Sequence, residues 1–363
     1  MKKIIEYLLL LLIISVCACK KESKVIQPTT SPFDTTIEVL GLLDTLLLTE
    51  NILSTAGFVS TSDILFSTSN NSTPIIKAFD YSGKYLGGFG KKGEGPGEFN
   101  RVNGANFNRI GNDIVASSSE FVRRYGVTMG PNGLQVEVKV EKKIPGFYRP
   151  INDIFMINDS TFGGVVGFTH NEYSTFTING DTSSFGDFLD LEPEVPRTAY
   201  SDLYQSRTAS KPDKGKVVSA YTRFPFLKIE NLITGTSKVV EVLPENQQKP
   251  IEIGPYKMGL RGLGYYSYFQ SLEANDDFII SIYQEKSFEK VDPPTNTGNL
   301  RSVPLTERKS YIFDWDGNPI LALKIEEWMQ VYTITPDNRI IFFHPEQKDE
   351  LYVLDLISLI DSV

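Results

Sequence analysis

The chain has 363 residues, 40% hydrophobic and 22% charged, which is enough apolar material for a packed core and rules out wholesale disorder. Its 36 basic and 45 acidic side chains leave a net charge of −9, which excludes a general nucleic-acid binder because phosphate contacts need a basic face. Two histidines and two cysteines exclude most metal sites and catalytic triads built on those residues.

The N-terminal segment reads as a targeting signal. Lys2 and Lys3 form a basic start, and Tyr7 to Ala18 is an apolar run too short for a membrane-spanning helix, which needs about 20 residues. It ends in Val16-Cys17-Ala18-Cys19, which resembles the lipobox of bacterial lipoproteins. There an aliphatic and a small residue precede the cysteine that takes the diacylglyceryl group and becomes the new N-terminus. Residues 1–18 are therefore expected to be a lipoprotein signal peptide and Cys19 the lipidation site, anchoring the chain to the membrane. Cys17 then leaves with the signal, so no disulfide or cysteine nucleophile is available to the mature domain. Loss of Lys2, Lys3 and Glu6 takes the charge from −9 to −10. Residues 19–34 lack an apolar pattern and read as a flexible tether.

From residue 35 to 363 one unit recurs: an apolar run, a tight turn containing Asp, then a more hydrophobic β-rich run. The turns are Ser62-Asp63, Asn112-Asp113, Asn158-Asp159, Pro212-Asp213, Asn275-Asp276 and Pro336-Asp337. Asn and Asp tolerate left-handed backbone angles and Pro presets φ, so these pairs suit hairpins. A second turn follows in each unit, clearest in Phe79-Asp80-Tyr81-Ser82-Gly83 and Phe313-Asp314-Trp315-Asp316-Gly317. Weaker copies are Gly130-Pro131-Asn132-Gly133, Asn179-Gly180-Asp181 and Thr234-Gly235-Thr236. Four strands per unit, six times over, predict an all-β six-bladed β-propeller with four-stranded antiparallel blades. The last unit shows only three strands, around Val331–Thr335, Arg339–Phe343 and Leu351–Leu356. An N-terminal strand, Thr36–Leu40, is the expected fourth, closing the ring and removing its edges.

Residues Phe79 to Leu86 and the loop Gly90-Lys91-Lys92-Gly93-Glu94-Gly95-Pro96-Gly97-Glu98-Phe99 resemble the outer hairpin and connector of NHL-type repeats. With the lipobox and the Pro212-Asp213-Lys214-Gly215-Lys216 turn, residues 35 to 358 are similar to the TolB-like six-bladed propeller lipoproteins of Bacteroides-type bacteria. The resemblance implies a fold and a bacterial envelope location, with the outer membrane expected; it carries no catalytic residues to transfer.

The run Gly87 to Gly97 leads into no helix N-terminus and lacks a Gly-Lys-Ser/Thr ending, so it is expected to be an inter-blade turn rather than a phosphate cradle. Glu273, Asp276 and Asp277 lack the spaced oxygen ligands of a calcium loop and read as a hairpin. No metal or other cofactor is expected, and no catalytic residue is assigned. His170 and His344 fall in loops of the third and sixth units, on opposite sides of a six-membered ring, and cannot share one metal ion directly.

Loops between second and third strands share one face with the loops joining successive blades. That face is expected to gather Arg101, Tyr148, Arg149, Arg223, Arg261, Tyr265, Tyr266 and Trp328. Arginine forks and rigid aromatic rings form a binding mouth; the competing reading packs the rings between blades and pairs the arginines with nearby carboxylates. The predicted function is thus a monomeric, envelope-anchored binding or scaffolding propeller for a protein, peptide or glycan. The alternative is a carboxylate- or metal-dependent propeller enzyme, a lyase, lactonase or glycan-cleaving enzyme, with its site at the channel mouth.

Overall fold

The computed structural model describes residues 26–29, 33, 36–52, 55, 57–93, 95, 97–100, 102, 107–118, 120–145, 153–165, 171–189, 200–211, 215–242, 266–290, 300–329 and 331–363. Six antiparallel sheets succeed one another along the chain. Blade I spans Gly57–Phe89, blade II Phe107–Lys143, blade III Ile154–Phe185, blade IV Ser206–Val242, blade V Tyr266–Lys324, and blade VI begins at Val331. The first strands of successive blades touch all the way round and meet again between blades VI and I, closing a ring about a central channel. Apolar clusters fill the wedges between blades; Phe66, Ile76, Phe107 and Ile114, for example, join blades I and II.

The expected turns are hairpins. Those of the first set that are fully described join the first and second strands, as at Asn112 between Ile110 and Asp113. The second set joins third to fourth strands and is held by side chains that accept backbone donors. In blade I the Ser82 and Lys84 amides donate to Asp80 Oδ1 at 2.9 and 3.0 Å, and Gly83 takes φ 85°. In blade V the Asp316 and Asn318 amides donate to Asp314 Oδ1 at 2.9 and 2.8 Å, with Gly317 at φ 74°. Both sets of turns lie on one side of the ring, called here the hairpin face; the opposite side is the loop face. Of the expected inter-blade turn Gly87–Gly97, Gly87 to Phe89 belong instead to the outer strand of blade I; in the connector beyond, Lys91–Lys92 pairs with Glu98–Phe99, and the Gly95 amide donates to Glu98 Oε2.

An N-terminal strand closes the ring as expected, but it is a later one than Thr36–Leu40. The outer strand of blade VI is Asp44–Leu47, antiparallel to Glu350–Val353, and not Thr36–Leu40. Thr36–Glu38 lies instead in parallel on the outer strand of blade V, facing Ala322–Lys324. Connection length explains the shift. A closing strand that ended at Leu40 would leave a long stretch of irregular chain before blade I at Gly57. Closure at Leu47 leads directly into Leu48 and Ile52, which pack with Phe58, Leu65 and Leu351. Val39 is fully buried between blades V and VI. Part of the expected tether is also a strand: Ile26–Thr29 adds in parallel to the outer strand of blade IV. Phe33 then stacks on Tyr311, ring centroids 4.7 Å apart. The described N-terminal segments thus lie in turn against blades IV, V and VI, as a belt.

Candidate functional site

Blade V departs from the repeat on the loop face. Its second strand, Phe278–Lys290, runs far past its neighbours, and Leu300–Pro304 pairs with the overhang at Lys286–Lys290. The first strand begins at Tyr266 opposite Ser287, so a three-stranded tongue rises beside the channel. At its base Gln284 donates to Glu327 Oε1 at 2.8 Å, and Lys286 donates to Gln270 Oε1 at 3.3 Å. Arg308, only 5% exposed, donates through Nη1 to the Glu327 carbonyl at 2.8 Å and lies 3.3 Å from its carboxylate. Its Nε is buried without a hydrogen-bond partner among the described residues.

Arg308 pairs with the Glu327 carboxylate, and Lys286, held by Gln270, lies near enough to feel both charges. Burial lowers the Lys286 pKa and the like charge of Arg308 lowers it further, against a smaller opposing pull from Glu327. Burial likewise lowers that of Arg308. Such a pair gains from an additional anion.

Next to Glu327, Trp328 meets His344 at 4.8 Å and Tyr352 at 4.9 Å between ring centroids. All three rings are half-buried, so they form a platform with one accessible side. Its rim is polar: the Tyr352 hydroxyl donates to Glu350 at 2.8 Å and contacts Gln347, and the Glu346 amide donates to His344 Nδ1 at 3.2 Å.

Two carboxyls stand at the first strands of different blades, Asp153 just ahead of that of blade III and Glu273 in that of blade V. Asp153, 2% exposed, accepts from the Thr208 amide at 2.6 Å, while Arg207 Nη1 stands 3.6 Å from its other oxygen. Burial outweighs these contacts and pushes its pKa up to about 6. Glu273 is raised well above the ordinary carboxylate range, by burial first and by Asp153 second. Glu273 keeps partial solvent access. Tyr332 senses both Glu273 and Arg308, linking the carboxyls to the tongue.

A second polar cluster, between blades III and IV, has no such opening. Lys228 is fully buried between Glu172 at 2.8 Å and Glu230 at 3.0 Å, and the Tyr221 hydroxyl donates to Glu172 at 2.6 Å. It is a closed structural network. On the hairpin face, a cleft of about 680 Å³ lies between the Thr61–Ile64 turn and the long third and fourth strands of blade II. Its buried charge is internally matched, since Asp113 pairs with both Arg124 and Lys139 at 2.7 Å.

Of the residues expected at the mouth, Trp328 is there, in contact with His344. Arg223 lies on the same face, in the loop between the second and third strands of blade IV, and is half-buried. Tyr266 opens the first strand of the tongue. Arg101, Tyr148, Arg149, Arg261, Tyr265, His170 and the lipidation residue Cys19 lie outside the described residues. The sequence reading missed Lys286, Arg308, Glu327 and Asp153, and it read Glu273 as part of a hairpin although it lies in the first strand of blade V. One signal was available: Gln284-Glu285-Lys286 abruptly follows the apolar run Phe278–Tyr283 in a strand of blade V. Among the described residues no group of three or more His, Cys, Asp or Glu could hold a metal ion.

No family model and no curated protein matches this chain. Its fold is similar to a DUF4221 family member from Bacteroides vulgatus, at TM-score 0.56 and 9% identity, covering 86% of this chain and 95% of that one. It is also similar to a candidate exported protein from Bacteroides fragilis, at TM-score 0.54 and 12% identity, covering 88% and 97%. At such identities the likeness concerns the fold alone.

Proposed function

We propose that this protein is an exported, lipid-anchored propeller that binds a carboxylate-bearing glycan or peptide at its loop-face mouth. The observation that carries the reading is the Arg308–Glu327 pair with a second cation, Lys286, held next to it by Gln270, all beside the Trp328 platform. An anion satisfies the excess positive charge of Lys286 and Arg308, and the half-buried rings take a sugar or peptide plane by stacking. The lipobox ending in Cys19 supports anchoring, and the exported Bacteroides fragilis neighbour supports an envelope address. The TolB-like and NHL-type kinship rests on the Gly-Glu-Gly-Pro-Gly-Glu-Phe connector and belongs to this proposal.

The test is calorimetric titration of the Cys19→Ala protein with an oligogalacturonide and with a neutral oligosaccharide of equal length. The acidic sugar should bind and the neutral one should bind far less; Lys286→Gln should weaken the acidic sugar about tenfold, the loss of one charge-assisted contact. Equal binding of both sugars, or no effect of Lys286→Gln, contradicts the assignment.

A second reading has one observation in its favour. Asp153 and Glu273 hold protons more tightly than ordinary carboxyls, and a protonated carboxyl can act as a general acid. Cleavage of the bound sugar that disappears in Glu273→Gln, with binding retained, would favour that enzyme.

A further inference from the structure

The belt strand Ile26–Thr29 has a polarity. It runs parallel to Thr236–Val242, with Ile26 level with Val239 and Thr29 with Val242. That outer strand climbs from the hairpin face to the loop face, so Ile26 is the end of the belt strand nearer the hairpin face. Only residues 20–25 separate Cys19 from Ile26. At up to about 3.6 Å per residue they span no more than roughly 25 Å, less than the width of the domain.

The turn at that end of blade IV is unusual. Ile233 is 83% exposed, the most exposed large hydrophobic residue among those described. It is held outward because the Ile233 and Thr234 amides both donate to Asn231 Oδ1, at 2.9 and 3.1 Å. Lys211, Lys216 and Lys238 gather about Asp316 next to it: Lys216 pairs with its carboxylate at 2.9 Å, Lys238 reaches its carbonyl, and Lys211 acts on it at longer range. Three cations around one carboxylate, beside an outward isoleucine, are out of character for a chain of net charge −9. Ile178, at the matching turn of blade III, is also 40% exposed.

We infer that the hairpin-face rim of blade IV, carrying Ile233 and the Lys211, Lys216 and Lys238 cluster, is the surface that rests on the lipid bilayer. The inference rests on the lipid-anchored reading of Cys19. The short leader brings this rim to the bilayer, Ile233 enters the interfacial layer, and the lysines face anionic headgroups. The loop face, with the Lys286–Arg308 mouth, then points away from the membrane toward solvent-borne ligands.

The experiment uses the full lipidated protein reconstituted in vesicles containing phosphatidylglycerol and a nitroxide-quencher lipid. Single fluorophores are placed at Ile233→Cys on the hairpin rim of blade IV, at Asn132→Cys on the hairpin face of blade II, and at Gln347→Cys on the loop face. The label at 233 should be quenched several-fold more than that at 347, with 132 intermediate, and replacing the anionic lipid by phosphatidylcholine should reduce the difference. Quenching at 347 equal to or greater than at 233, or no quenching at any of them, overturns the inference. Vesicle flotation separates this from failure of the anchor itself: a wild-type protein that floats like Cys19→Ala overturns the lipid-anchored reading and the inference together. A wild type that floats without preferential quenching at 233 overturns the inference alone.

Discussion

The two faces of the ring are built by different means. On the hairpin face several turns are closed by side chains a few residues away, as when Asp80 Oδ1 takes the Ser82 and Lys84 amides and Asp314 Oδ1 takes those of Asp316 and Asn318. On the loop face the important contacts join distant segments: Gln284 to Glu327, Arg308 to Glu327, Tyr221 to Glu172, and Thr208 to Asp153. A local turn survives as long as its own strands do. An assembled mouth needs the ring to be closed first, and that dependence is where the contrast between the faces can be broken.

The largest effect should come from the closing strand. A chain beginning at residue 30 loses only the belt strand on blade IV and should melt close to the parent. A chain beginning at residue 43 also loses Phe33 and the buried Val39 and should be clearly weakened. One beginning at residue 49 loses Asp44–Leu47 and exposes the edge of blade VI at Glu350–Val353. It should fail to fold cooperatively and lose ligand binding. Thermal melts that rank these three chains in any other order contradict the closure described.

A smaller and pH-dependent effect should come from the channel. The native Asp153 pKa of about 6 lies above its ordinary value of 3.8, so the folded protein holds a proton that the unfolded chain has released. Its contribution is complete below about pH 4 and is lost as pH rises through 6. The amide introduced by Asp153→Asn keeps an acceptor for the Thr208 backbone and cannot ionise. This substitution should flatten the fall in urea stability across that window and give the more stable protein near neutrality, by up to about 3 kcal/mol. Parallel stability curves for the two proteins would place the titrating group elsewhere.

The smallest effect belongs to the hairpin face. Asp80→Ala removes the acceptor of two backbone amides and should cost about 1 kcal/mol, the scale of a lost cap. It should leave ligand binding at the mouth unchanged. A loss of binding would mean that the two faces are coupled.

The same contrast explains what the sequence alone disclosed. Asp, Asn and Gly at fixed offsets announce a turn because the atoms that close it are neighbours, and this made the blade count and the strand order readable. The closing strand was misplaced because Thr36–Leu40 and Asp44–Leu48 are both short apolar runs, and only packing against Leu351 and Phe58 selects the second. The mouth was half readable. Trp328 and His344 stand on the expected face, but nothing local marks Arg308 as the partner of Glu327, 19 residues away, or Asp153 as the partner of Thr208, 55 residues away. Those pairs exist only once the ring has closed.

The mouth itself is most directly tested by tryptophan fluorescence. The chain has two tryptophans: Trp315 is 4% exposed and donates to the Asn275 carbonyl in the core, whereas Trp328 lies half-buried in the platform. Titration of the wild-type protein with the oligogalacturonide should change its emission saturably, at the midpoint found by calorimetry, and Trp328→Phe should abolish that change. An equal change in Trp328→Phe, or calorimetric binding with no change in the wild type, would place the ligand away from this mouth.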